Sequence, residues 1–502
     1  MAVDYDLVIL GATEPGYSAA IAAAQAHGRV AWVVEQPLEV DPLLLLREGA
    51  RLVSQHPEFA HAEFAHAKFA HAKFAYSERL SFAHELLASA LESPAAAVQA
   101  AGVHYIEGAF QLESSGLVVA GQELRSRAYL LALNRASQMP DIPGINHPRV
   151  WTAAQLYEQL VHGQLAQVLQ ASNSGEPQVI GILGAGPQSV EIGHSLQRLG
   201  ASVGLSVVLL TNGQRLLPQE DAEAAFTLQT YLEGCGVSID TQSSLLAVHP
   251  HPDGLTLEMG QQNSDRHKRR VNGLVIVPEP SESPESSGLL SALPPSIALL
   301  NLHQTPQGLW VNAALQTSIP SVYACGGLLG GYQIPSVGCY EAQLAVQNAL
   351  FERQTSCQYF QLPYAILSDP PLARVGFTER QALRYCPETQ ILRQTYRASR
   401  RAVLAQVPAG FCKVLVQPDG KLLGAHLVGT EAPELIHVFA LAIQQGVPLQ
   451  ALGTMGYVSP TFSQVIQSVA ADWRRSQQNR DRNERWFYKR RNATKSNLSK
   501  KA

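Results

Sequence analysis

Cysteine is scarce and badly placed for pairing. Six residues, Cys235, Cys325, Cys339, Cys357, Cys386 and Cys412, are scattered through 502 positions with no C-x-x-C or C-x4-C spacing. That excludes a disulfide framework and a cysteine zinc site, and it points to a reducing compartment. Long apolar runs are missing as well: none approaches the ~18 residues of a membrane span, so no transmembrane segment is expected. No charged-then-apolar leader opens the sequence, which points to a cytoplasmic rather than a secreted protein. Charge is modest, with 16% charged residues and a net charge of −4 against 46% hydrophobic residues. This is the composition of an ordinary globular chain, and its length calls for two to four domains.

The charge is unevenly placed. Between Arg474 and Lys501 there are eleven Lys/Arg against two acids, a local +9 that leaves −13 on the rest of the chain. Such a tail suits an acidic protein or an acidic surface; charge alone carries no case for nucleic acid. Residues 58–75, EFAHAEFAHAKFAHAKFA, are a tandem pentapeptide. A five-residue step turns a helix by about 140°, so its phenylalanines and histidines spread around the axis. No metal site is expected there, because histidine ligands on one helix face want i, i+4 spacing. The repeat reads as a lengthened, alanine-rich interaction arm.

Two segments carry the chemistry. LVILGATEPGYSAA (7–20) is a buried strand, a tight turn and a small-residue helix, the layout of a dinucleotide-binding loop. It keeps Gly11 and Gly16 of G-x-G-x-x-G, but Thr13 stands at the second glycine, where backbone should approach phosphate. The next strand ends at Glu35, 19 residues past Gly16, the place of an acid that holds an adenosine ribose. VIGILGAGPQSVEIG (179–193) repeats the layout with Gly184 and Gly186, and Ser189 takes the third glycine position. Beyond its following strand, Thr211 and Asn212 occupy the place of the ribose-reading acid, and Arg215 is a faint hint of NADPH. NADH and NADPH are not ranked by these residues.

An FAD-type loop followed by an NAD(P)-type loop resembles the flavoprotein pyridine nucleotide-disulfide oxidoreductases, the family of dihydrolipoamide dehydrogenase and mercuric reductase. The resemblance runs from about residue 4 to 472 and is carried further by QRLLPQEDAE (214–223), QTSIPSVYACGG (316–327), YAILSDPPLARVGFTERQA (364–382) and GFCKVLV…GAHLVGTEAPELI (410–436). It implies an α/β fold with two Rossmann-like domains, FAD type and NAD(P) type, plus a C-terminal α+β dimerisation domain in a homodimer. The expected division is 1–150 and 291–356 for FAD, 151–290 for NAD(P), 357–472 for dimerisation and 473–502 for the basic tail. The family pattern assigns cofactor contacts to Gly11, Thr13, Gly16, Glu35, Gly184, Gly186, Glu191, Gly326 and Gly327, and Glu341 also sits where it is wanted.

The departures fall on the chemistry. The family's C-x4-C follows the first ribose acid; here that stretch reads EQPLEVDPLLLLREG, without cysteine. The family's His-Glu pair in H-P-T-x-S-E appears as Ser459 and Gln464, neither of which titrates near neutral pH. The Gly-Asp whose acid holds the flavin's ribityl chain appears as Gly326-Gly327, and the A-T-G ahead of the second domain as Ala132-Leu133-Asn134. No residue is therefore assigned a catalytic role. The expected function is transfer of electrons from NAD(P)H through FAD to a non-thiol acceptor. The competing expectation is an inactive dimer serving as a binding scaffold through its repeat and its tail.

Overall fold

The computed structural model describes residues 3–38, 42–55, 93–113, 116–135, 139–161, 178–200, 204–261, 266–277, 293–331 and 334–478. The pentapeptide repeat and all of the basic tail from residue 479 lie outside them. Among the described residues no helix is long and apolar enough to cross a membrane.

The chain folds into two compact units, Met1–Pro218 with Gln229–Cys357, and Gln219–Leu228 with Gln358–Ala502. In the first unit, β1 (Tyr5–Leu10), β2 (Val30–Val34), β3 (His104–Glu107), β7 (Ser126–Leu131) and β16 (Val322–Ala324) form one sheet in the order β16-β7-β1-β2-β3. Every pairing in it is parallel. The centre reads as continuous apolar runs because both faces are covered: Leu7–Leu10 and Ala31–Val34 have no exposed surface. Helix α1 (Glu14–Gln25) packs through Ala19, Ala20 and Ala23, small residues that let it approach the sheet closely. A three-stranded meander, β4 (Phe110–Glu113), β5 (Gly116–Val119) and β6 (Gln122–Leu124), sits between β3 and β7 in sequence.

A second parallel sheet has the order β11-β10-β9-β15-β8, with β8 at Val150–Thr152, β9 at Gln178–Leu183, β10 at Leu205–Leu210, β11 at Ser238–Asp240 and β15 at Gly273–Ile276. An antiparallel sheet of β12 (Ser243–His251), β13 (Gly254–Gln261) and β14 (Arg266–Val271) accompanies it. Its outer strand carries RHKRRV, a basic run whose side chains alternate between exposed and half-buried, which suits a solvated edge. Helix α2 (Pro42–Gln55) packs against α3 (Pro187–Gly200), so α3 is buried on nearly every side.

The second unit is an antiparallel sheet in the order β17-β18-β21-β20-β19, of β17 (Tyr364–Ile366), β18 (Leu372–Gly376), β19 (Gln390–Thr395), β20 (Phe411–Val416) and β21 (Leu422–Val428). Helix α4 (Ala432–Gln444) lies on it, and Tyr396, Phe411, Phe439 and Trp473 fill its interior. A boundary at residue 290 does not anticipate that 219–228 join this unit. The reason is electrostatic. Lys413, 1% exposed, reaches Asp221 at 2.9 Å and Glu379 at 2.6 Å, while Arg374 meets Glu220 at 3.4 Å. A buried ammonium needs its carboxylates beside it, and those of Lys413 come from Asp221, Glu223 and the helix Glu379–Tyr385.

Candidate dinucleotide sites at the carboxyl edges of two parallel sheets

In an open parallel sheet, ligands bind outside the carboxyl ends of the strands where the strand order reverses. In the first sheet the chain runs outward from β1 through β2 to β3, then returns to β7 on the other side, so the reversal lies between β1 and β7. The segments flanking it are Gly11–Thr13 and Ala132–Asn134. Glu35 follows β2, and Cys325–Gly327 follow β16, so one edge brings together Gly11, Thr13, Gly16, Glu35, Gly326 and Gly327.

The turn after β1 is packed tightly. Gly11 has φ +120°, and a Cβ there would lie 2.3 Å from the Ala132 carbonyl oxygen; at Gly16 a Cβ would lie 2.6 Å from the Gly11 carbonyl oxygen. Both positions need glycine for backbone reasons. Thr13 is extended and caps α1: its Oγ1 accepts the Gly16 N–H at 3.1 Å and donates to the Ala132 carbonyl at 2.7 Å. That second bond spans the reversal point. Beneath it the buried Trp32 donates its Nε1–H to the Gly11 carbonyl at 2.9 Å. Thr13 and Trp32 together hold the turn in its phosphate-loop shape, and Thr13 consumes one of the N–H groups at the start of the helix. Trp32 was not singled out in the sequence; a lone aromatic with an N–H inside VAWVV is the only signal there.

On the far side, Gly326 has φ +68° and donates its N–H to Glu341 Oε2 at 2.7 Å. Glu341 is 4% exposed, and a charge-assisted bond of this kind fixes the turn after β16. Gly327 does not have a positive φ; what confines it is Asn134, whose Oδ1 would lie 2.7 Å from a Cβ at 327. Glu35 is exposed and Cys325 is fully buried, with its thiol pushed well up by burial and by Glu341. A neutral, enclosed thiol is a packing residue. Cys339, half-buried on the helix Pro335–Phe351, is likewise raised to about 11 by burial and by Glu14.

The second sheet reverses between β9 and β15, beside Gly184 and Gly186. Gly184 has φ +151°, and its N–H bonds to the Leu210 carbonyl at 3.0 Å. The Leu217 N–H donates to the Ala185 carbonyl at 2.7 Å, so 215–218 fold back on this turn. Arg215 spends its guanidinium on the Leu217 and Pro218 carbonyls at 2.8 and 2.9 Å, which removes the hint that it reads a phosphate. Thr211 is buried, and its hydroxyl caps the Gly213 N–H. Ser189 and Glu191 are buried in α3; Glu191, at 7% exposure, is no solvated helix-face residue.

In the second unit Gln464 donates from Nε2 to Ser459 Oγ at 3.2 Å. The two positions that the family resemblance assigns to an acid–base pair are thus brought together and bonded as neutral groups. The six cysteines are all free thiols.

Comparison with known proteins agrees with this geometry. Residues 5–349 match the family model described as pyridine nucleotide-disulphide oxidoreductase, and residues 362–470 match that family's dimerisation domain, which supports a homodimer. Dihydrolipoyl dehydrogenase of Bacillus subtilis is 28% identical over 271 residues, 54% of this chain and 56% of that protein. Mercuric reductase of Staphylococcus aureus is 27% identical over 352 residues, 68% of this chain and 58% of that protein. The chain thus spans little more than half the length of these curated relatives. Among solved structures, LpdA of Mycobacterium tuberculosis shares the fold with a TM-score of 0.72 at 20% identity, over 93% of this chain and 99% of that one. The HOCl-induced flavoprotein disulfide reductase RclA of Escherichia coli does so with a TM-score of 0.70 at 21% identity, over 93% and 99% of the two chains. Members of the matched family are FAD-dependent and use NAD(P)H. With one family model covering residues 5–349 and its companion most of the remainder, the chain belongs to the pyridine nucleotide-disulfide oxidoreductase family.

Proposed function

We propose that this protein is a homodimeric FAD-dependent NAD(P)H oxidoreductase that works without disulfide chemistry and delivers electrons to a non-thiol acceptor such as a quinone. The observation that carries this reading is the first carboxyl edge, where Glu35, the Gly11–Gly16 turn and the Glu341-held Gly326 converge on one reversal point. In this reading residues 1–150 and 291–356 form the FAD-binding domain, 151–290 apart from 219–228 the NAD(P)-binding domain, and 357–472 with 219–228 and Trp473 the dimerisation domain, with the basic tail beyond it. Glu35 holds the adenosine ribose, the N-terminus of α1 faces the pyrophosphate, and the turn at Gly326-Gly327 borders the ribityl chain. Gly184, Gly186 and Glu191 belong to the nicotinamide nucleotide site. When bound, the flavin supplies acceptance of hydride from NAD(P)H and onward transfer of two electrons.

Two features support the non-thiol half of the proposal. The stretch after Glu35 has no cysteine and the 459–464 segment has no titrating side chain, and thiol exchange needs both an attacking thiolate and a proton acceptor. The buried Cys325 is held neutral beside Glu341 and offers no nucleophile.

A second reading has its own observation. The Thr13–Ala132 bond closes the reversal point with the chain's own groups, which favours a cofactor-free scaffold dimer that binds an acidic protein or surface through its tail and uses its repeat as an arm. One absorbance spectrum separates the two. After incubation with excess FAD and desalting, flavin bands near 370 and 450 nm support the oxidoreductase. A colourless protein leaves the scaffold.

A further inference from the structure

We infer that Asn134 is a flavin-binding residue of this chain, hydrogen-bonding the polyol (ribityl) chain of the bound cofactor in place of a side chain at position 327. The inference rests on the FAD reading above and assigns part of that site to a residue that the family pattern does not use.

The argument begins with register. Leu131 of β7 pairs with Ala324 of β16 in a parallel ladder. Asn134 and Gly327 each lie three residues past that pair, so they face one another at the same height on the carboxyl edge. Glycine at 327 is not demanded by the backbone, because its φ is not positive. Its neighbour fills the space: a Cβ at 327 would lie 2.7 Å from Asn134 Oδ1, so a side chain there would displace the Asn134 amide, and 3.4 Å from Asn134 Cα. A side chain at 327 and an asparagine at 134 therefore exclude one another in these rotamers. The polar group on this part of the edge has moved from one strand end to the next.

The chemistry of the replacement suits the ligand. A carboxylate only accepts hydrogen bonds, whereas an amide both donates and accepts, and a polyol hydroxyl can use either role. The Asn134 side chain is exposed on the edge and makes no hydrogen bond to another described residue, so its amide is free for a ligand. Thr13 is bonded to Ala132, two residues away, so the neighbouring polar group is already committed. Among the described side chains that flank the reversal point after β7, Asn134 is the one with both roles unused.

The test is a fluorescence-quenching titration of the full-length protein with FAD and, in parallel, with ADP, which has the adenosine and pyrophosphate but no polyol. Asn134→Ala is expected to weaken FAD binding three- to tenfold and to leave ADP binding unchanged. Asn134→Gly combined with Gly327→Asp, which moves the polar group back to the other strand end, is expected to restore FAD affinity to within threefold of the unaltered protein. Thermal melts of all variants check that an exposed substitution leaves the fold intact. Equal FAD affinity in Asn134→Ala and the unaltered protein overturns this inference while leaving the FAD reading standing. Parallel weakening of FAD and ADP also overturns it, since the effect then lies in the turn and not at the polyol. An unaltered protein that binds no FAD overturns both.

Discussion

The carboxyl edge of the first sheet and the interior of the C-terminal unit treat polar groups in opposite ways. At the turn after β1, hydrogen bonds are made by neutral groups that satisfy one another, Thr13 with Ala132 and Gly16 and Trp32 with Gly11, and a carboxylate, Glu341, enters only at the turn after β16. In the C-terminal unit an ionic cluster surrounds a buried ammonium: Lys413 lies among the buried Asp221 and the partly exposed Glu223 and Glu379, with Arg374 on the buried Glu220. The neutral pair of exposed Ser459 and half-buried Gln464 is likewise uncharged. Neutral groups thus shape the turn of the candidate site, while charges position segments of the second unit against one another. The lesson is that the two kinds of polar residue answer to different constraints. A catalytic group can be replaced by any residue that satisfies its neighbours. A buried charge cannot lose its partner without stranding the other.

The largest effect should come from breaking the ionic side. Lys413→Met leaves Asp221 and Glu379 facing a buried apolar side chain and is expected to cost about 3–5 kcal/mol, read as a fall in the urea midpoint. A replacement that proves neutral would mean the cluster is ornamental. Next in size is pH. His426 is fully buried, its Nε2–H donates to the Phe377 carbonyl at 2.9 Å, and burial with Arg374 nearby lowers its pKa to about 4 from 6.5. The folded pKa lies below the unfolded one. Its contribution is therefore complete above pH 6.5 and is lost as pH falls toward 4, at up to about 1.4 kcal/mol per unit. Asp221, whose pKa is lowered despite its burial by charges that include His426 and Lys413, adds a loss below its ordinary value of 3.8. Urea titrations at pH 7, 6, 5, 4, 3 and 2 read both, and His426→Gln should remove the upper part of the slope.

Gly11→Ala sharpens the edge side of the comparison. Its Cβ meets the Ala132 carbonyl at 2.3 Å, so about 2–3 kcal/mol of stability should go, whether or not a cofactor is present. Thr13→Gly is smaller in stability and more telling in function. It removes a cap that glycine half replaces, for a few tenths of a kcal/mol, and it frees the Gly16 N–H and the crevice between β1 and β7. FAD binding should tighten by about tenfold in an equilibrium titration. Smallest of all, Ser459→Ala should stay within about 0.5 kcal/mol, because its bond to Gln464 is exposed.

Much of this could be read from the sequence, and the reason is local. LVILGATEPGYSAA and VIGILGAGPQSVEIG announce strand, turn and helix by apolar run and glycine spacing, and both lie at sheet reversals. What was not legible is long-range. Thr13 reads as an obstacle in the sequence; its partners Ala132 and Gly16 make it a cap and a bridge, and the first of these lies 119 residues away. Arg215 is a faint hint of NADPH in the sequence, which does not show its bonds to the Leu217 and Pro218 carbonyls. Lys413 is one base among many until its distance to Asp221, 192 residues earlier, is known. Asn134 reads as a lost glycine, and only the parallel register of β7 with β16 sets it opposite Gly327.

The central claim is electron transfer through flavin without thiols, and it can be met in one anaerobic experiment. Protein loaded with FAD and desalted is titrated with NADH or NADPH while absorbance at 450 nm is followed, and then a quinone, lipoamide or oxidised glutathione is added. The account predicts bleaching by a nicotinamide nucleotide, recovery with the quinone, and no recovery with either disulfide. Recovery with lipoamide or oxidised glutathione would contradict it, as would a flavin band that neither nucleotide bleaches.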